Sequence, residues 1–166
     1  MSDSPRAILL VEDNESDIEL TRRAMQRSGF TNELTVAEDG QEALDYLYAR
    51  NVAMGDDRSE LPALVLLDLN MPRVDGLTVL RRIRADAYTK HLIVVILTSS
   101  VWEQDLVAAY DIGANSYIRK PVDFQEFSMA INQVTSYWLN VNVEPPVSGS
   151  GGALPDLDAG SSQELS

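Results

Sequence analysis

Three uninterrupted apolar runs constrain this chain most: Ala7-Ile8-Leu9-Leu10-Val11, Leu64-Val65-Leu66-Leu67 and Leu92-Ile93-Val94-Val95-Ile96-Leu97. A strand with one wet face alternates apolar and polar residues. A strand that stays apolar throughout is covered on both faces, as in a parallel sheet flanked by helices. Two weaker strand candidates are Glu33–Ala37 and Ser116–Arg119. Between them, apolar residues recur at helical spacing. Ile18, Leu20, Ala24 and Met25 mark a first helix that ends near Gly29. Ala43, Leu44, Leu47 and Tyr48 mark a second, and Leu77, Leu80 and Ile83 a third after Gly76. Leu106, Val107, Ala109 and Tyr110 mark a fourth that ends at Gly113, and Phe127, Ile131, Val134 and Trp138 a fifth. Strand and helix alternate five times. That predicts an α/β fold, a doubly wound five-stranded parallel sheet of order 2-1-3-4-5 with helices on both faces.

Composition limits what such a sheet could do. The 166 residues carry a formal charge of −13, with no Cys and a single His. So acidic a chain is not drawn to nucleic-acid phosphates or to an anionic membrane surface. Without Cys there is no disulfide scaffold, thiol nucleophile or thiolate metal site, and one His cannot build a multi-His centre. The opening Ser2-Asp3-Ser4-Pro5 is polar and unlike a signal peptide, and the longest apolar run is too short to span a bilayer. A cytoplasmic location is the expectation. From Val141 onward the character changes to Pro145-Pro146, Gly149, Gly151-Gly152 and Pro155 among serines, with four acids and no base. Residues 1–140 are therefore expected to form the domain, and residues 141–166 a largely flexible acidic tail.

The polar residues that end the strands carry the chemistry. Val11 is followed by Glu12-Asp13, Leu67 by Asp68, Leu97 by Thr98-Ser99-Ser100, and Arg119 by Lys120-Pro121. Parallel strands point the same way, so these groups converge at the carboxyl edge, where open α/β sheets bind ligands. Three carboxylates together repel unless one is protonated or a cation joins them. An oxygen-rich, nitrogen-poor donor set suits a hard cation such as Mg²⁺. A cation and a lysine on opposite sides of one carboxylate make a cradle for a phosphoryl group.

The pieces Leu10-Val11-Glu12-Asp13-Asn14, Leu66-Leu67-Asp68-Leu69-Asn70-Met71-Pro72 with Asp75-Gly76, Ile96-Leu97-Thr98-Ser99, Gly113-Ala114 and Tyr117-Ile118-Arg119-Lys120-Pro121 occur here in one order. In that order and spacing the chain resembles, over about residues 6–140, the receiver domain of bacterial two-component response regulators. The resemblance implies that Asp68 is the phosphoacceptor, charged by a sensor histidine kinase. It implies that Asp13, Asp68 and the main-chain carbonyl of Asn70 hold Mg²⁺, with Glu12 reaching it through water. Thr98 and Lys120 would bind the phosphoryl oxygens, and Ser99, beside Thr98, leaves room for them. Tyr117 would swing inward as Thr98 moves, and the Lys120–Pro121 bond would be cis. The Arg50–Pro62 connection, Thr98-Ser99-Ser100 and Tyr137-Trp138-Leu139 look like the stand-alone receivers that serve bacterial phytochrome kinases. Members of that group form homodimers through the fourth helix, fifth strand and fifth helix with the C-terminal extension. Tyr110, Tyr117, Tyr137 and Trp138 are the candidates for such a face.

Plainer readings compete at each position. Glu12, Asp13 or Asn14 alone would be a strand end and a helix cap. Tyr117 alone would be edge-strand packing, and Trp138 completes the apolar stripe of the last helix. Arg81-Arg82 with Arg84 reads as a solvated basic patch, and His91 lies at the opposite end of the strands. Other activities fit less well. A haloacid-dehalogenase-type phosphatase needs a second acid where Asn70 stands. A P-loop motif is absent, and a flavodoxin-like phosphate loop would not carry Glu12-Asp13-Asn14-Glu15. The expected role is a phosphorylation switch, either a terminal one or an intermediate that passes the phosphoryl group on, and not a metabolic enzyme.

Overall fold

The computed structural model describes residues 5–54 and 60–145. Five strands, β1 (Ile8–Val11), β2 (Leu34–Ala37), β3 (Leu64–Leu67), β4 (Val94–Thr98) and β5 (Ser116–Arg119), alternate with five helices. These are α1 (Glu15–Arg27), α2 (Gly40–Met54), α3 (Gly76–Ala85), α4 (Glu103–Ile112) and α5 (Phe124–Ser136), and a π-helical turn, Tyr137–Val141, follows. All pairings are parallel and the strand order is β2-β1-β3-β4-β5. The predicted architecture holds.

The continuous apolar runs are explained by where their two faces go. Leu9, Val11, Val65, Leu67, Val94 and Ile96 face one core with Ala43, Leu44 and Leu47 of α2 and Val79, Leu80 and Ile83 of α3. Ile8, Leu10, Leu64, Leu66, Val95 and Leu97 face the other with Ile18, Ala24 and Met25 of α1 and Phe127, Ile131 and Val134 of α5. Every residue of β1, β3 and β4 is buried. Burying a Phe side chain as Phe127 is buried is worth about 2–3 kcal/mol.

Some boundaries differ from those expected. Leu92 and Ile93 are buried but precede β4, and the strand runs on to Thr98. Helix α2 continues to Met54, so it takes up the first part of the predicted Arg50–Pro62 connection; residues 55–59 lie outside the described residues. Helix α4 is less amphipathic than its spacing implies. Ala109 is its one buried residue, whereas Val107 and Tyr110 are exposed, because α4 packs mainly against α3 and edge strand β5. Just past Val141 the described chain is still in contact with the domain. The Arg6 guanidinium pairs with the Glu144 carboxylate, and Asn32 donates to the Arg6 carbonyl at 2.8 Å. Trp138 donates its indole N–H to Ser116 Oγ at 3.2 Å and packs on the α1/α5 core. The rest of the expected tail, 146–166, lies outside the described residues. Among the described residues, no helix is long and apolar enough to cross a membrane.

Candidate functional site

Strand pairing fixes the site before any side chain is considered. The last residues of β1 and β3 are in register, Val11 beside Leu67, and Thr98 of β4 lies beside Arg119 of β5. Ladder-like bonds continue one residue further, with Glu12 N–H to Ala37 O at 3.0 Å, Asp68 N–H to Val11 O at 3.0 Å and Lys120 N–H to Thr98 O at 2.8 Å. The backbones of Glu12, Asp68 and Lys120 are thus anchored where their strands stop. Just beyond, Asp13 is exposed, and Asn14 caps α1 by accepting the Asp17 N–H at 3.0 Å.

One carboxylate oxygen from each of Glu12, Asp13 and Asp68 falls within 4.8 Å of the others. Glu12 is 1% and Asp68 7% exposed. The Lys120 ammonium, itself buried, donates to Glu12 Oε1, donates to Asp17 Oδ2 at 2.8 Å, and lies 3.5 Å from Asp68 Oδ2. One ammonium among four carboxylates leaves the cluster negative. Burial pushes the Glu12 carboxyl up to about 7; the Lys120 hydrogen bond opposes that rise and the Asp68 charge reinforces it. Burial alone would lower the Lys120 pKa, but its hydrogen bonds to Asp17 and Glu12 and the Asp68 charge outweigh it and raise the pKa. The excess charge and the all-oxygen donors fit a divalent cation: Asp13 and Asp68 offer carboxylates, and Asn70 borders the same open cleft as Asp13, Met71 and Pro72.

The remaining predicted residues surround this cluster. Asn70 donates its N–H to Asp68 Oδ1 at 3.4 Å. Thr98 is fully buried, and its hydroxyl oxygen accepts the Ser100 N–H at 3.2 Å; Ser99 is exposed. The Tyr117 hydroxyl is already buried and meets no hydrogen-bond geometry among the described residues, with its ring 6.4 Å from that of Tyr110. Burial, then the Asp105 charge, raises its pKa. Tyr110 and Tyr137 are exposed, whereas Trp138 is half-buried. One expectation fails: the Lys120–Pro121 peptide is trans, as are all described peptide bonds. An X–Pro bond prefers trans by about 0.5–1 kcal/mol, and the trans bond leaves every Lys120 hydrogen bond in place.

Other contacts were not foreseen. Ser100 donates to Asp105 Oδ2 at 2.5 Å and accepts the Trp102 N–H, which starts α4. Arg73, at φ 65°, forms a two-pronged bond with Asp39 at 3.0 Å for each prong. Arg84 is not part of a solvated patch as Arg81 and Arg82 are. Its head turns inward and donates to Gly113 O, Lys90 O, Leu92 O and Asn115 Oδ1 at 2.7–2.9 Å. A second, more apolar pocket lies at the opposite edge, lined by Leu61, Pro62, Tyr88, His91 and the Arg6–Glu144 pair, far from the carboxylates.

The response regulator receiver domain family matches residues 8–132. The chain belongs to that family. The receiver resembles the probable methanogenesis regulatory protein FilR2 of Methanothrix harundinacea (strain 6Ac), at 41% identity over 87% of this chain and 90% of the relative. Among solved structures it resembles the phosphorylated cyanobacterial phytochrome response regulator RcpA, at 34% identity and TM-score 0.77 over 86% of this receiver and 99% of that chain. It also resembles the bacteriophytochrome response regulator RtBRR, at 44% identity and TM-score 0.64 over 87% and 86%.

Proposed function

We propose that this receiver takes a phosphoryl group on Asp68 from a sensor histidine kinase, and that the kinase is of the phytochrome class. The single observation that carries the phosphoacceptor role is the placement of Asp68. Carboxylate oxygens of Glu12 and Asp13 lie within 4.8 Å of its own, and the Lys120 ammonium, bonded to Glu12, is 3.5 Å from Asp68 Oδ2. The phytochrome pairing is supported by the likeness to RcpA and RtBRR. Asp68 Oδ attacks phosphorus, an O–P bond forms and the donor's N–P bond breaks, with the electron pair leaving on the imidazole. Asp13, Asp68 and the Asn70 carbonyl would hold Mg²⁺, with Glu12 behind a water. When bound, it offsets negative charge on the phosphoryl oxygens. Lys120 pairs with one of those oxygens and the Thr98 hydroxyl donates to another, next to the small Ser99. The receiver catalyses only its own phosphorylation and dephosphorylation.

Incubation with acetyl phosphate and Mg²⁺, followed by intact-mass measurement, tests this. We expect one added phosphoryl group, none without Mg²⁺, and none on Asp68→Asn. An unmodified parent chain, or an equally modified variant, would overturn the assignment.

The output surface in this reading is formed by α4, β5 and α5, coupled to Asp68 through Thr98 and Tyr117. It exposes Trp102, Val107 and Tyr110, which are 65%, 53% and 50% accessible. Such side chains favour association, and we propose a homodimer there, with Tyr137 at its border. Light scattering at micromolar concentration is expected to give twice the chain mass. A monomer both with and without phosphorylation rejects it.

A further inference from the structure

Asp17 has no part in the phosphoryl chemistry above, yet it holds the ammonium on which that chemistry depends. It occupies the third position of α1, after the Asn14 cap. An acid at this position commonly reaches back to the cap's N–H. Here that N–H is taken by Glu12 Oε2 at 3.2 Å. The Asp17 carboxylate is thereby released to face Lys120, at 2.8 Å. Its main chain is held independently, with its N–H on Asn14 Oδ1 and its carbonyl accepting from Thr21. The ammonium has three donors. Glu12 and Asp17 take two, and Asp68 Oδ2 lies 3.5 Å from the nitrogen.

We propose that Asp17 is a positioning residue, which tethers Lys120 from the α1 side and so aims its third N–H at the phosphoryl group on Asp68. The lysine stem is flexible and its ammonium is a mobile point charge. One acceptor cannot fix it; two acceptors on different elements, the end of β1 and the first turn of α1, can. The inference rests on Asp68 being the phosphoacceptor. It gives Asp17 a role through Lys120 alone, which separates it from an acid that merely favours the helix N-terminus.

Two measurements test it. First, acetyl phosphate labelling rates are compared for the parent, Asp17→Ala, Asp17→Asn, Lys120→Ala and the Asp17→Ala/Lys120→Ala pair. Losing one charge-assisted hydrogen bond that orients a reacting group is expected to slow Asp17→Ala about tenfold. Asp17→Asn, which keeps an acceptor oxygen, is expected to stay within about threefold. In the Lys120→Ala background, Asp17→Ala is expected to add nothing. Second, the Lys120 ammonium is observed by ¹⁵N NMR in the metal-free protein. Its signal is expected to persist in the parent and Asp17→Asn, and to be lost to rapid exchange in Asp17→Ala. A parent-like rate in Asp17→Ala, or the same slowing without Lys120, overturns the proposal, as does an unchanged ammonium signal. If the parent itself takes no phosphoryl group, the phosphoacceptor reading falls, and the ammonium signal still decides whether Asp17 holds Lys120.

Discussion

Gly76→Ala is expected to unfold more easily than the parent and also to lose most of its phosphorylation. The cause is a close approach between backbones. A Cβ at Gly76 would stand 2.2 Å from the Asp68 carbonyl oxygen, 2.7 Å from Leu69 Cα and 2.9 Å from the Asp68 carbonyl carbon. None of these atoms belongs to a side chain that could rotate away. The start of α3 is also docked there by the Gly76 N–H, which donates to Leu69 O at 3.0 Å. Relief requires either α3 or the end of β3 to move, and both are built into a buried core. Overpacking of this kind costs about 1–3 kcal/mol. The same movement shifts the backbone that carries the Asp68 carboxylate, and displacement of a reacting group by about 1 Å costs roughly a hundredfold in rate. Urea denaturation and the acetyl phosphate assay read the two effects. A variant with the parent's midpoint and labelling rate would show that the approach is not as tight as described.

The second large effect is expected at Arg84. Its guanidinium joins the end of α3 to the loop before β4 and to the turn between α4 and β5. It does so through the Lys90, Leu92 and Gly113 carbonyls and Asn115 Oδ1. Asn115 Oδ1 in turn accepts the Val94 N–H at 2.7 Å, so the contact reaches the first residue of β4. Among the described residues no carboxylate pairs with Arg84, and burial lowers its pKa from the ordinary value. The charge is met by carbonyl dipoles. Arg84→Met keeps the stem and removes all four donors. Leaving such acceptors unpaired is expected to cost about 3 kcal/mol. Arg84→Lys recovers only part of this, because an ammonium cannot span four acceptors as the planar fork does. Arg82→Met, on the exposed neighbour, is expected to stay within about 0.5 kcal/mol of the parent. Equal urea midpoints for Arg84→Met and Arg82→Met would refute the clasp.

Arg84 also marks the limit of what could be read from the sequence. Glu12, Asp13, Asp68 and Lys120 were legible because each lies within two residues of a strand's end. A strand's end fixes where the next side chain emerges, and parallel pairing brings the ends together. Arg84 and Asp17 were not legible. A helix places a residue on a face, but whether its long side chain turns outward or inward depends on which carbonyls or charges another element presents. For Arg84 those acceptors lie up to 31 residues away, and for Asp17 the partner is 103 residues away. The same limit applies to α4, whose apolar residues have helical spacing but meet little of the sheet. At Pro121 the reading rested on the family pattern alone, and there the bond is trans.

The Arg6–Glu144 pair has a practical consequence. It brings the two ends of the described chain together at the amino edge of the sheet, while Asp68 and Lys120 open at the carboxyl edge. A fluorophore or an affinity handle attached beside Arg6 or Glu144 starts on the side of the molecule away from the chemistry. The receiver can therefore be immobilised through that edge with its phosphoryl cleft turned toward solution, a natural geometry for measuring kinase docking on a surface.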